Sequence, residues 1–314
     1  MPSLAVTSRS FSQNQKLREA VLTIYPDAKF NDEGKSLSGD SLIDFLTGYE
    51  RAITALEVID NSVLSNLPNL KVIGKYGVGL DMIDLSAMEK FGVKLGWEAG
   101  VNKRSVSELV ISFAISLLHR AFFANYEVRN GAWYQVKGRQ LTECTFGIIG
   151  CGHIGKDLVK LLKQFNCKIL SYDILDFPEF YKNNNVSPVS LEELLKNSDV
   201  VSLHLPLDDS TRNILHRERL KMLKSSAVII NLARGGLIDE IALKKMLLDK
   251  KIAGAAIDVF EVEPPKDIDF LRMNNVFVTP HIGGSSEEAI LAMGMAAIKS
   301  LKNAKNPSDF LTSN

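Results

Sequence analysis

Thr145-Phe146-Gly147-Ile148-Ile149-Gly150-Cys151-Gly152-His153-Ile154-Gly155 is the stretch whose reading decides the fold. Thr145–Gly150 reads as a buried strand, and Ile154–Phe165 as a helix with Leu158, Leu161, Leu162 and Phe165 on one face. Gly150 allows the tight turn between them, Gly152 lets the backbone approach a pyrophosphate, and Gly155 lets helix and sheet pack closely. His153 and Ile154 stand at the helix N-terminus, where free N–H groups and the positive dipole end suit phosphates. Asp173 closes the next strand, Lys168–Asp173, and is placed to accept hydrogen bonds from ribose hydroxyls. A 2′-phosphate would meet that carboxylate, and Ile174-Leu175-Asp176 adds no Arg or Lys, so the cofactor expected is NAD rather than NADP.

Working outward, further strands fall at Val200–His204, Ala227–Leu232, Ala253–Val259 and Val276–Thr279, with a capped helix at Ser190–Lys196. Residues 104–283 therefore read as one doubly wound Rossmann domain. Ser105-Val106-Ser107-Glu108 has the pattern of a capping box and predicts a helix from Ser105 to Arg120. The aromatic cluster Phe122, Phe123, Tyr126, Trp133 and Tyr134 after it is expected to be core or subunit contact. The first third alternates strands (Leu4–Thr7, Arg51–Leu56, Lys71–Gly74, Val93–Gly96) with helical stretches, the pattern of a second parallel sheet. A last helix, Ser286–Leu301, most simply returns to pack on that region. The expectation is an α/β chain of two doubly wound domains, 1–103 plus 284–314 and an inserted 104–283.

Three stretches then place charged side chains at or just beyond strand ends. They are Asn231-Leu232-Ala233-Arg234-Gly235-Gly236, Asp258-Val259-Phe260-Glu261-Val262-Glu263-Pro264-Pro265 and Thr279-Pro280-His281-Ile282-Gly283-Gly284. Ligands of open α/β sheets sit beyond the carboxyl ends of the strands, so these residues face one rim. Arg234 stays ionised and can fork two N–H bonds onto a carboxylate or a 2-oxo oxygen. His281 is a proton donor and acceptor near neutral pH, and Glu263 can hold its ring. Beside a nicotinamide these parts suit the transfer of a hydride and a proton on a small acid.

The constellation resembles the D-isomer-specific 2-hydroxyacid dehydrogenase family, from Lys71-Val72-Ile73-Gly74-Lys75-Tyr76-Gly77-Val78-Gly79-Leu80-Asp81 to Gly284. The resemblance implies a flavodoxin-like substrate domain, an inserted NAD domain and a cleft that closes between them. It implies that Arg234 binds substrate, that Glu263 pairs with the histidine and that His281 is the acid/base. Asp258 would meet the nicotinamide carboxamide, and His204 and Pro206 would line the cofactor near its ribose. Ala233, Gly283 and Gly284, within the same motifs, join that cofactor set. Val78 and Gly79 would offer backbone N–H groups to the substrate carboxylate, and Lys75 is a further candidate for the substrate. No arginine follows Arg51 in Ala52-Ile53-Thr54-Ala55-Leu56, where family members acting on phosphorylated acids tend to carry one. Phosphoglycerate dehydrogenase-like and glyoxylate/hydroxypyruvate reductase-like readings both stay open. A regulatory domain beyond the last helix is expected to be absent. The alternative of another class is an NAD(H)-sensing binding protein, as in the family's corepressor branch.

With 46% hydrophobic residues, 314 residues can bury a sizeable core. Thirty-seven basic residues balance thirty-seven acidic ones without a basic stripe, so neither nucleic acid nor an anionic membrane is expected as a partner. No apolar run has bilayer length, and the N-terminal residues lack the pattern of a secretory signal. Three cysteines (Cys144, Cys151, Cys167) without metal-ligand spacing fit a reduced cytoplasmic setting and no metal. The family resemblance implies a homodimer.

Overall fold

The computed structural model describes residues 3–311, which divide into two compact units. One holds the chain up to Asn102 and again from Glu287; the other is Lys103–Ser286. The first is built on five parallel strands: β1 (Leu4–Val6), β2 (Lys29–Phe30), β3 (Arg51–Thr54), β4 (Val72–Lys75) and β5 (Lys94–Gly96). Their order, β2-β1-β3-β4-β5, is that of flavodoxin-like sheets. Successive residues bury on opposite faces: Ala5, Ala52 and Ile73 enter one core, Val6, Ile53 and Val72 the other. The helix Glu287–Ser300 belongs to this unit and lies on the second face. Two strand glycines make room for it. A Cβ on Gly74 would stand 2.8 Å from the Ala297 carbonyl oxygen, and one on Gly96 would stand 2.6 Å from that of Ser300.

The second unit is a seven-stranded parallel sheet. Its strands are β6 (Thr145–Ile149), β7 (Lys168–Tyr172), β8 (Val186–Pro188), β9 (Val200–Leu203), β10 (Val228–Asn231), β11 (Gly254–Ile257) and β12 (Val276–Val278). The order β12-β11-β10-β9-β6-β7-β8 reverses between β6 and β9, the switch point at which such folds bind nucleotides. Phe146, Ile148, Val228 and Ile230 pack toward Val110, Phe113, Leu158 and Leu162 on one face. Ile149, Val201, Leu203 and Ile229 pack toward Leu191, Leu194, Leu243 and Leu247 on the other. The two doubly wound domains expected from the sequence are present, flavodoxin-like and Rossmann.

Some elements differ from expectation. The helix expected from Ser105 spans Lys103–Leu118. Ser105 is no cap: its hydroxyl donates to the Gly283 carbonyl at 2.7 Å. The aromatic cluster is not core either. Its residues 121–129 form a helix without a buried residue, and Tyr126, Trp133 and Tyr134 are 55%, 89% and 54% exposed. Only Phe122 packs inward, stacked on Phe277. Among the described residues no single helix is long and apolar enough to cross a membrane. The pair Lys103–Leu118 and Ala121–Arg129 passes that test only together, across a 64° bend.

Candidate active site

Strand register brings three of the charged stretches to one edge. Asn231 pairs with Ile257 across β10 and β11, and Ile257 with Val278 across β11 and β12. Arg234, Asp258 and His281 thus leave neighbouring strands at one end of the sheet. Gly235 is forced by this convergence, since a Cβ there would stand 2.0 Å from the Phe260 carbonyl.

Asp258 organises the rim. It is 1% exposed, and its carboxylate accepts from Thr279 Oγ1 at 2.5 Å, Ile282 N at 2.8 Å and Gly283 N at 2.8 Å. Its carbonyl accepts the His281 N–H at 2.8 Å. These bonds hold His281 at φ 56°, a left-handed conformation that costs a non-glycine residue roughly 1 kcal/mol. The strain turns the imidazole toward the loop after β11, where Nδ1 lies 2.9 Å from Glu263 Oε2. Glu263 is itself held, because its Oε1 accepts from Phe260 N at 3.1 Å. An Nδ1–H donated to Glu263 leaves Nε2 as the second working nitrogen. His281 and Glu263 are 47% and 39% exposed, so the pair faces solvent rather than core. They line a cavity of about 410 Å³ with Asp258, Phe260, Pro265 and Thr279. Arg234 donates from its guanidinium to the Ala233 carbonyl at 2.6 Å, and Asn231 caps the turn by bonding the Arg234 carbonyl and the Ala233 N–H.

At the switch point the residues fit a dinucleotide. Gly150 has φ 97°, and a Cβ there would stand 2.5 Å from the His204 carbonyl oxygen. A Cβ on Gly155 would stand 2.2 Å from the Gly150 carbonyl oxygen, while around Gly152 nothing lies within 4 Å. The helix His153–Leu162 therefore starts against the strand end, with open space over Gly152. Asp173 follows β7 and is pinned by two amides, Cys151 N at 2.5 Å and Leu175 N at 2.8 Å. His204 bonds Ser202 Oγ through Nε2 at 2.9 Å, and its buried Nδ1 has no protein partner. Burial pushes its pKa down to about 3, so the ring is neutral. An orphaned buried nitrogen beside the switch point is what an unmade ligand contact looks like. Pro206 follows on the same loop and is exposed. Cys151 is buried, and burial raises its thiol pKa, which makes it a packing residue of the loop.

In the first unit the Lys75 side chain is buried, and its ammonium bonds the Ala55 carbonyl. The chain then turns at Gly77, φ 128°, into Val78 and Gly79.

Two supporting residues, Arg104 and Glu240, escaped the sequence reading, and a third, Ser105, has a role other than the cap expected of it. Arg104 forks onto buried Asp157 at 2.9 and 3.0 Å, tying the long helix to the helix after the glycine loop. Ser105 anchors Gly283, as described. Glu240 accepts from Glu261 N at 2.7 Å and so steadies the loop that carries Glu263. Burial, then the anions Glu261, Asp267 and Glu263, raise the Glu240 pKa. A carboxyl pKa above its unfolded value adds stability below the ordinary glutamate range and loses it as pH rises through the folded value. Glu240→Gln keeps the acceptor and removes the crowded charge. It should raise Tm at neutral pH by a few degrees at most and flatten the decline of Tm with rising pH, as calorimetry across pH would record.

The fold and the rim define an α/β protein with a Rossmann dinucleotide-binding domain. Residues 111–283 match the family model described as D-isomer specific 2-hydroxyacid dehydrogenase, NAD binding domain. A D-3-phosphoglycerate dehydrogenase of Methanocaldococcus jannaschii is 39% identical over 247 residues, 78% of this chain and 47% of that protein. This chain thus spans about half the length of that relative. A hydroxypyruvate reductase of Thermotoga maritima is 38% identical over 242 residues, 74% of this chain and 77% of that protein. The solved D-lactate dehydrogenase of Aquifex aeolicus, complexed with NAD and lactic acid, superposes with a TM-score of 0.82 at 26% identity, covering 95% of this chain and 94% of that one. The chain belongs to the D-isomer specific 2-hydroxyacid dehydrogenase family, and NAD is its cofactor. These relatives are dehydrogenases and reductases, and they lend the sensing alternative no support.

Proposed function

We propose that the protein interconverts a small D-2-hydroxy acid and its 2-oxo acid with NAD. The observation that carries this reading is the His281–Glu263 pair at 2.9 Å on a strained, Asp258-anchored turn. NAD, when bound, supplies the hydride chemistry. The chain manages the proton: in reduction, protonated His281 gives one from Nε2 to the carbonyl oxygen; in oxidation the neutral ring takes it back. Glu263 keeps the ring in that tautomer and stabilises its cation. Arg234 draws charge onto the substrate oxygens. Val78 and Gly79 offer amides to the substrate carboxylate, with Lys75 as a further contact. Gly150, Gly152, His153, Ile154 and Gly155 cradle the pyrophosphate, and Asp173 takes the adenosine ribose. His204, Pro206, Ala233, Asp258, Gly283 and Gly284 line the remaining length. Residues 104–283 act as the NAD domain, and 1–103 plus 284–314 as the substrate domain.

The experiment is the loss of NADH absorbance with glyoxylate, hydroxypyruvate, pyruvate, 2-oxoglutarate and phosphohydroxypyruvate. Saturation with one of them supports the reading and chooses between the reductase-like and phosphoglycerate dehydrogenase-like forms. Silence across the panel with NADH bound would sink it in favour of sensing. Asp173→Ala should weaken NADH by about tenfold, the loss of one charge-assisted bond to a ribose hydroxyl, and narrow the preference over NADPH. An unchanged preference removes Asp173 from the ribose. The working form in this reading is a cytoplasmic homodimer, supported by three buried free cysteines and the exposed aromatics Tyr126, Trp133 and Tyr134. Light scattering at micromolar concentration should give twice the chain mass, and a monomer would refute it.

A further inference from the structure

We propose that Trp97 is a positioning residue for the substrate carboxylate: its indole N–H holds the peptide that carries the Gly79 amide. The inference rests on the reading in which Val78 and Gly79 meet that carboxylate. Trp97 directly follows β5, the neighbour of β4 in the sheet. Its Nε1 donates to the Val78 carbonyl at 3.2 Å. That carbonyl and the Gly79 N–H belong to one planar peptide unit and point in opposite directions when the bond is trans. Fixing the carbonyl on Trp97 therefore aims the Gly79 N–H away from the indole. The turn needs such a hold. It lies beyond the last ladder residue of β4 and begins at Gly77 with φ 128°, so the strand's hydrogen bonds do not reach it.

The indole is held in turn. Phe310, 8% exposed in the helix Ser308–Leu311, packs edge-on against Trp97 with ring centroids 5.7 Å apart and planes at 84°. The Ser308 N–H bonds Glu89 on the helix Leu85–Lys90 at 3.2 Å, which docks the short helix on the same unit. A phenylalanine in place of Trp97 would fill much of the same space, but only the indole has a donor for the carbonyl.

Oxalate, an unreactive analogue of a 2-oxo acid, is the probe, titrated by calorimetry into protein loaded with NAD. Trp97→Phe keeps a ring against Phe310 and removes the donor. Oxalate should bind about fivefold more weakly, the change expected for one neutral hydrogen bond, and the KM of the panel acid should rise by the same factor. In the same variant kcat and the NADH dissociation constant should stay within about twofold. A loss in kcat or in NADH binding of equal size would mark a general structural effect and overturn the proposal. A second readout leaves the turn intact: Trp133→Phe makes Trp97 the only indole of the two in the chain. Its emission should shift as oxalate binds, and silent emission with oxalate bound overturns the role. Failure of the underlying reading looks different, because wild-type protein would then bind no oxalate and saturate with no panel acid. If wild type binds oxalate and Trp97→Phe binds it equally well, only the Trp97 role falls.

Discussion

Replacing His281 with alanine should slow 2-oxo acid reduction by on the order of 10³-fold, the usual worth of a placed general acid. NADH affinity should stay within about twofold, because a residue acting only on the reacting proton adds little to ground-state binding. The separation follows from the geometry. His281 Nδ1 is committed to Glu263, and Asp258 fixes the backbone on either side, so Nε2 alone is left for the reacting atom. Alanine at φ 56° keeps the strain and loses the Glu263 tie, so it should also lower Tm. His281→Asn separates the two effects, since asparagine tolerates the left-handed region but cannot exchange a proton near neutral pH. Asparagine should be as slow as alanine while keeping more of the stability. Stopped-flow reduction and fluorescence titration with NADH decide the matter. A loss of NADH binding as large as the loss of rate would make His281 a cofactor contact rather than an acid.

What was legible in the sequence was local. Gly150, Gly152, Gly155 and Asp173 lie within one βαβ unit, where spacing along the chain translates directly into spacing in space. The strand-end stretches could be read for the same reason: each apolar run ends where its charged residue begins. Residues whose partners are remote in sequence were illegible. Ser105 has the spacing of a capping box, yet its hydroxyl goes to Gly283, 178 positions away, because the helix already starts at Lys103. Neither the Arg104–Asp157 fork nor the Glu240–Glu261 bond leaves a periodic trace. The helix Ala121–Arg129 was missed for a related reason: it is nine residues long and Phe122 alone of its side chains packs on the core, too little for the 3.6-residue period to show. The two-residue β2 was missed because so few positions cannot show alternation.

Two glycines of one loop should fail in different ways. Gly155→Ala forces a Cβ to within 2.2 Å of the Gly150 carbonyl oxygen, which is backbone and cannot rotate aside. Either the helix His153–Leu162 backs off the sheet or the turn opens. Overpacking of this kind costs about 1–3 kcal/mol, so for a unit of this size Tm should fall by roughly 2–12 °C. The displaced turn should also weaken NADH by about 5- to 150-fold, since the same 1–3 kcal/mol is withdrawn from the binding-competent loop. Gly152→Ala meets no atom within 4 Å, and the Gly152 backbone is not in the left-handed region, so the folded protein should keep its Tm. It should still weaken NADH, because the methyl group occupies the open space over the helix N-terminus where a pyrophosphate would approach. Stability and binding therefore move together at Gly155 and part at Gly152. Scanning calorimetry with NADH titration measures both. If Gly152→Ala binds NADH as tightly as the parent, the pyrophosphate does not pass over that loop, and the assignment of Gly150–Gly155 to the cofactor fails with it.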